Sequence, residues 1–289
     1  MVKINTNTRL AAIIGSPVAQ SLSPVIHNAV FAARSINWVY LAFEVRPGRV
    51  ADALNSMSTL GIGGLSVTMP HKNEVAKIVA EIGEIDQVVR VTNSANTVVL
   101  RQDNSLWATN TDGEGCCNAL ELAMNSSLRG QRVVVLGAGA TASGVAYALV
   151  QRGASDVSII NRTDTRAKDL VKRIGGTTRV CLPTEINSDI NSSRIIINTT
   201  PVGFGKVNDN SESPIDVSLI NSSHVVLDAV YHPLETGLLL GAKKAGATVV
   251  DGLSMLIHQA ALQQQHWIGE PGEIALMRDA ALAQLTRSS

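Results

Sequence analysis

The chain has 289 residues, and its 24 Lys and Arg balance 24 Asp and Glu, so it carries no formal net charge. That balance excludes the basic field a nucleic-acid partner needs, and no apolar run reaches the roughly 18 residues of a membrane-spanning helix. Hydrophobic residues make up 45% and aromatics 3%, which allows two ordinary α/β domains with cores of Val, Ile, Leu and Ala.

Residues 11–14 are too short for a signal peptide and run into Gly15 and Pro17. Residues 10–14 read as a strand. Ser23 reads as the N-cap of a helix with Pro24 at its first position. Val25, Ile26, Ala29, Val30 and Ala33 give that helix one apolar face. Strands over 39–45 and 63–67 alternate with helices over 50–60 and 75–80. Residues 97–101 and 106–108 suit a hairpin around Asp103-Asn104.

A helix over 114–124 opens the second half. Short apolar strands follow at 132–136, 157–160, 179–182, 194–198, 225–229 and 247–250. Helices fill the stretch up to Gly153 and residues 166–174, the latter stopped by Gly175-Gly176. Continuous apolar runs between helices indicate a parallel sheet buried on both faces. Residues 204–224 are rich in Ser and Asn and read as a surface loop. Helices over 253–267 and 272–286 have no strands of their own to cover and are expected to pack back onto the first segment. The expected architecture is α/β with two domains, 1–112 joined by 251–289, and a Rossmann domain over 113–250. Cys116, Cys117 and Cys181 are odd in number and lack ligand spacing. They predict free thiols in a reducing, cytoplasmic compartment, and no metal site.

The sharpest local signal follows the strand 132–136. Gly137, Gly139 and Ala142 fit G-x-G-x-x-A within Gly137-Ala138-Gly139-Ala140-Thr141-Ala142, between a strand and a helix. The first glycine permits the tight turn, the second lets backbone approach a pyrophosphate, and Ala142 allows close helix packing. The helix N-terminus adds N–H donors and a positive dipole end. A glycine turn in an ordinary α/β protein is the competing reading. An NAD site places Asp or Glu about 20 residues on, at the ribose 2′-OH. This chain has Asn161-Arg162-Thr163 there, with Arg166 close behind. Guanidinium groups pair with a 2′-phosphate, which points to NADP(H). Two solvated arginines at a helix start, with Asp164 between them, are the alternative. A lysine, Lys72, and a carboxylate, Asp112, precede this loop in polar motifs, suggesting proton transfer coupled to hydride transfer. A buried structural Lys–Asp pair is the competing reading.

Seven landmarks occur in order: Ser21-Leu22-Ser23-Pro24, Val67-Thr68-Met69-Pro70-His71-Lys72, Ala95-Asn96-Thr97, Asn110-Thr111-Asp112-Gly113, the glycine loop with Asn161-Arg162-Thr163, Val230-Tyr231-His232-Pro233, and Gly252-Leu253-Ser254-Met255-Leu256-Ile257-His258-Gln259. Spread over nearly the whole chain, this set resembles the shikimate dehydrogenase family, which also includes quinate dehydrogenases. The resemblance implies reversible NADPH-dependent reduction of 3-dehydroshikimate to shikimate in aromatic amino-acid biosynthesis. It makes 1–112 with 251–289 the substrate domain and 113–250 the NADP domain. It implies that Lys72 and Asp112 flank the reacting oxygen. Ser21 and Ser23 would bind the substrate carboxylate. Ser66, Thr68, Asn96, Tyr231 and Gln259 would hydrogen-bond the substrate's ring hydroxyls or carboxylate. Thr199, Thr200, Pro201, Gly252 and Met255 would lie near the nicotinamide half. One departure stands out: Ser66 occupies a position where many relatives have Asn. It leaves open a relative acting on quinate or aminoshikimate, or using NAD. A non-catalytic, ligand-sensing relative is a further alternative. The partners expected are small molecules, and the residues suit a monomer or a homodimer equally.

Overall fold

The apolar runs expected as strands form strands of two separate sheets. A computed structural model describes residues 4–205 and 212–288. The chain divides into Met1–Thr111 with Gln259–Ser289, and Asp112–His258.

The first unit opens with β1 (Arg9–Gly15), α1 (Ser23–Ala33), β2 (Trp38–Glu44), α2 (Val50–Leu60), β3 (Ile62–Val67) and α3 (Lys72–Ile82). It continues through β4 (Glu84–Ile85), α4 (Gln87–Thr92), β5 (Thr97–Leu100) and β6 (Leu106–Thr109). The sheet order is β2-β1-β3-β5-β6-β4. β1 runs parallel to β2 and β3, and β5 pairs antiparallel with β3 and β6. Leu54, Met57, Leu65, Val75 and Val79 fill one core of this unit, and Phe31, Tyr40 and Trp267 lie in another. The expected hairpin at 97–109 is present. Ser23 is not the N-cap of α1: Leu22 holds that place, with no side-chain cap, and Ser23 is the first helical residue. Its buried hydroxyl has a tertiary partner, described below.

The second unit comprises α5 (Asp112–Met124), β7 (Arg132–Leu136), α6 (Ala140–Gln151), β8 (Asp156–Ile160), α7 (Asp164–Ile174), β9 (Thr178–Val180), α8 (Ile186–Ser192), β10 (Ile195–Asn198), β11 (Val225–Asp228), α9 (Gly237–Lys244) and β12 (Thr248–Val250). Every strand pair is parallel, in the order β12-β11-β10-β7-β8-β9. Read from β9, this is the doubly wound dinucleotide-binding order. Apolar clusters cover both faces of the sheet, around Leu120, Val145 and Leu149 on one and Ile190, Leu238 and Ala242 on the other. Within the expected loop 204–224, Val217–Leu219 forms a 3-10 turn and 206–211 lies outside the described residues.

The chain ends with α10 (Gly252–Ile268) and α11 (Ile274–Ser288). α11 packs on α1 in the first unit. The divisions fall at 111/112 and 258/259 rather than the expected 112/113 and 250/251. A Cβ on Gly252 would stand 2.4 Å from the Val230 carbonyl oxygen, and Met255 belongs to the core of the second unit. The start of α10 is therefore packed with that unit's sheet.

Candidate active site

In the first unit, the order β2-β1-β3 means that the chain leaves β1 on one side and returns on the other. Ligands of open α/β sheets bind at the carboxyl ends of strands at such a switch point. Ser21 and Ser23 follow β1, and Thr68 and Lys72 follow β3. The two strand ends are tied together: Thr68 N–H donates to the Ile14 carbonyl at 2.9 Å, and Ser16 N–H donates to the Met69 carbonyl at 3.0 Å. Lys72 is the first residue of α3, and its carbonyl accepts from Ala95 N–H at 3.0 Å. The lysine backbone is thus fixed against the segment carrying Asn96.

Asn96 is the centre of a buried polar cluster. Its Oδ1 accepts from Thr111 N–H at 2.8 Å and from the Thr97 hydroxyl at 2.7 Å. Its Nδ2 donates to Thr111 Oγ1 at 3.0 Å and to Gln259 Oε1 at 3.1 Å. Asn96 and Gln259, far apart in sequence, therefore meet. Asp112 follows Thr111 directly, and it is buried as the first residue of α5.

A second chain of bonds runs through Ser66. The Tyr40 hydroxyl donates to Ser66 Oγ at 2.7 Å, and Ser66 Oγ donates to Gln263 Oε1 at 2.8 Å. Gln263 Nε2 donates onward to the Asn96 carbonyl at 3.2 Å and to Thr97 Oγ1 at 3.1 Å. Ser23 also bonds the Tyr40 side chain, and Ser21 Oγ accepts from Ser23 N–H at 3.2 Å. Burial raises the Tyr40 phenol far above its ordinary value, against the hydrogen bonds from Ser66 and Ser23, so it remains a neutral donor. His27 stacks on Tyr40 with ring centroids 4.3 Å apart, and burial pushes its imidazole down to about 3. The ring is neutral at physiological pH and adds no charge to the cluster.

Tyr40 and Gln263 escape the sequence reading, and Thr111 enters it only within the motif Asn110-Thr111-Asp112-Gly113, with no role of its own. Tyr40 looks like a core aromatic within a strand, and its hydroxyl matters only through tertiary contact. Gln263 did carry a signal: glutamines at 259 and 263 stand one turn apart on one side of a helix.

In the second unit, the glycine loop joins β7 to α6 at the switch point between β7 and β10. Gly137 has φ +108°, and a Cβ there would lie 2.6 Å from Thr199 Oγ1. Thr199 O–H donates to the Leu136 carbonyl at 2.7 Å, bringing the two loops together. Gly139 has no atom within 4 Å of the place its Cβ would take, and no side chain caps α6. Ala140 and Thr141 begin that helix, and Ala142 is fully buried behind it. Thr200 N–H and O–H donate to Asn198 Oδ1 at 2.9 and 2.7 Å. Asn198 Nδ2 donates to Asp228 Oδ1 at 2.8 Å, and Val230 N–H to the same oxygen at 3.0 Å. Burial raises the Asp228 carboxyl, and these donors oppose the rise. The network fixes the segments carrying Thr199, Thr200 and Pro201 after β10, and Tyr231 after β11.

Beyond β8, Asn161 Nδ2 donates to the Thr163 carbonyl at 2.8 Å, shaping the turn that presents Arg162. Arg162 and Arg166 are exposed, and among the described residues neither pairs with a carboxylate. Asp164 pairs with Lys168 at 2.5 Å, which offsets its repulsion of a phosphate. The open second glycine, the uncapped helix and the two arginines fit a dinucleotide bearing a 2′-phosphate. Met255 shares the apolar cluster of this unit with Ala138 and Ala229, so its side chain is largely core. Among the described residues, no group of His, Cys, Asp or Glu could hold a metal ion, and the three cysteines are buried and free.

A phosphate-accepting glycine loop at one switch point, and a lysine with buried amides and hydroxyls at another, define an NADP-dependent oxidoreductase. Three family models match the chain in order. They are the shikimate dehydrogenase substrate binding domain at 13–98, shikimate / quinate 5-dehydrogenase at 119–203, and the shikimate 5'-dehydrogenase C-terminal domain at 252–282. A shikimate dehydrogenase (NADP+) of Moorella thermoacetica is 37% identical, covering 96% of this chain and 94% of its own. Shikimate 5-dehydrogenase from Thermus thermophilus, solved with NADP(H) and shikimate, superposes with TM-score 0.85 at 30% identity, covering 95% of this chain and 99% of its own. Quinate dehydrogenase from Corynebacterium glutamicum, solved with NAD, gives TM-score 0.86 at 27% identity, covering 96% and 99%. The chain belongs to the shikimate dehydrogenase family.

Proposed function

We propose that the protein catalyses the reversible, NADPH-dependent reduction of 3-dehydroshikimate to shikimate. The observation that carries this reading is the joining of Asn96, Thr111 and Gln259 in one buried cluster directly before Asp112, on a chain of this family. The first unit, with Lys72, takes the substrate. The second unit takes NADP(H), which supplies or accepts the hydride at the substrate's carbinol carbon. Lys72 Nζ gives a proton to the carbonyl oxygen as that carbon is reduced, and takes it back in oxidation. Asp112 orients the substrate hydroxyl or shares the transferred proton. The hydroxyls of Ser21 and Ser23 donate to the substrate carboxylate without the cost of burying a cation. Ser66, Thr68, Asn96, Tyr231 and Gln259 hold the ring hydroxyls. Thr199, Thr200, Pro201 and Gly252 border the nicotinamide half, and Arg162 and Arg166 take the 2′-phosphate. Three buried, free thiols support a reducing, cytoplasmic setting.

Ser66 favours a second reading, in which quinate or aminoshikimate is the preferred substrate. The exposed arginines oppose a switch to NAD. Replacing the proton carrier separates catalysis from ligand sensing. Lys72→Ala is expected to lower kcat by at least about 100-fold, with the NADP(H) dissociation constant, read by fluorescence titration, nearly unchanged. An unaltered kcat would remove Lys72 from the mechanism. A wild-type protein that binds both ligands without turnover would favour the sensor.

A further inference from the structure

The short side chain of Ser66 is met by Gln263. Its Oε1 lies 2.8 Å from Ser66 Oγ, and the residue is 1% exposed. Its two amide hydrogens are spent on the Asn96 carbonyl and Thr97 Oγ1. Thr97 in turn donates to Asn96 Oδ1 at 2.7 Å. Gln263 therefore braces both Ser66 and Asn96, all within the first unit. Ser66 gives its proton to Gln263 and accepts the Tyr40 proton. A hydroxyl has one donor and two lone pairs, so one lone pair is left for a further donor.

We propose that Gln263 is a positioning and specificity residue of the substrate site. Its amide takes the volume an asparagine at 66 would occupy, and it fixes the Ser66 hydroxyl as an acceptor for a ring hydroxyl of the substrate. The inference rests on the assignment of Ser66 and Asn96 to substrate binding. An asparagine at 66 beside Gln263 would bring two amides into the space of one and displace the Tyr40 bond. The two positions are thus complementary, and substitutions at them are coupled.

The test compares the full-length wild type with Ser66→Asn, Gln263→Ala and the double variant, reading kcat, the KM for shikimate, the KM for NADP and the melting temperature. Each single substitution is expected to raise the shikimate KM about 10-fold, with kcat changed less than about 3-fold and the NADP KM unchanged. The double variant is expected to recover the shikimate KM to within about 3-fold of wild type, because the new amide enters the vacated space. Gln263→Met keeps the volume without the hydrogen bonds, and it is expected to raise the shikimate KM as Gln263→Ala does. It also serves if the alanine variant does not fold. Multiplicative losses in the double variant would overturn the proposal. So would an unchanged shikimate KM in both Gln263 variants, whatever the melting temperature does. Ser66→Ala and Asn96→Ala separate the two levels of inference. If neither raises the shikimate KM, the site assignment itself fails. If they do and the Gln263 variants do not, only the role of Gln263 falls.

Discussion

At the scale of single residues, the proposed function assigns the 2′-phosphate of the cofactor to Arg162 and Arg166. Both are exposed after β8, and the nearby Asp164 carboxylate is paired with Lys168. A charge-assisted bond from guanidinium to phosphate contributes about 1.5–3 kcal/mol. Replacing both arginines with alanine is therefore expected to raise the NADP KM at least about 10-fold and to leave the NAD KM nearly unchanged. Steady-state kinetics with both cofactors checks this, and an equal effect on the two would place the 2′-phosphate elsewhere. These arginines stand out as candidates in the sequence because they sit at a fixed distance from the glycine loop, and Lys72 and Asp112 because each lies in a contiguous motif. Tyr40 and Gln263 do not, since their roles come from partners that only the folded chain brings near.

At the scale of elements, the long periodic helices and apolar strands were readable, and the short ones were not. β4 has two residues, too few for any period. α8 is written in Asn, Ser and Asp and has the composition of a loop. It is held in place by tertiary bonds from one carboxylate. Asp189 on α8 accepts from the Ser158 hydroxyl on β8 at 2.5 Å and from Arg179 on β9 at 2.6 and 2.8 Å. Burial pushes the Asp189 carboxyl up, but hydrogen bonds from Arg179, Ser158 and Cys181 outweigh it and hold it down at about 2. The folded value lies below the ordinary one. The contribution is therefore present above about pH 4 and is lost as pH falls toward about 2. Asp189→Asn is expected to flatten that part of the acid-unfolding curve and to cost about 1–3 kcal/mol at neutral pH. Denaturant melts at several pH values measure both, and an unchanged acid slope would show that the carboxylate does not anchor α8. The misplaced N-cap has a similar origin. Ser23 has the residue type of a cap, yet its hydroxyl is engaged by Tyr40 on β2, a competition no local pattern displays.

At the scale of the whole molecule, two units with separate sheets and cores divide the labour, and the chain passes between them at 111/112 and 258/259. The two-domain α/β plan and the return of the C-terminal helices to the first unit were legible from the strand spacing. The exact second boundary was not, because the close approach at Gly252 depends on its contact with Val230. This division predicts distinct footprints in hydrogen exchange. NADP(H) is expected to slow exchange at 137–142 and 161–166, and shikimate at 66–72 and 96–97. Interchanged footprints would reverse the assignment of the units. The central claim is met most directly by initial rates of oxidation of shikimate and of quinate, each with NADP and with NAD, followed as nicotinamide absorbance. Shikimate with NADP is expected to have a kcat/KM at least about 10-fold above every other pair. A higher kcat/KM for quinate, or for NAD over NADP, would contradict it.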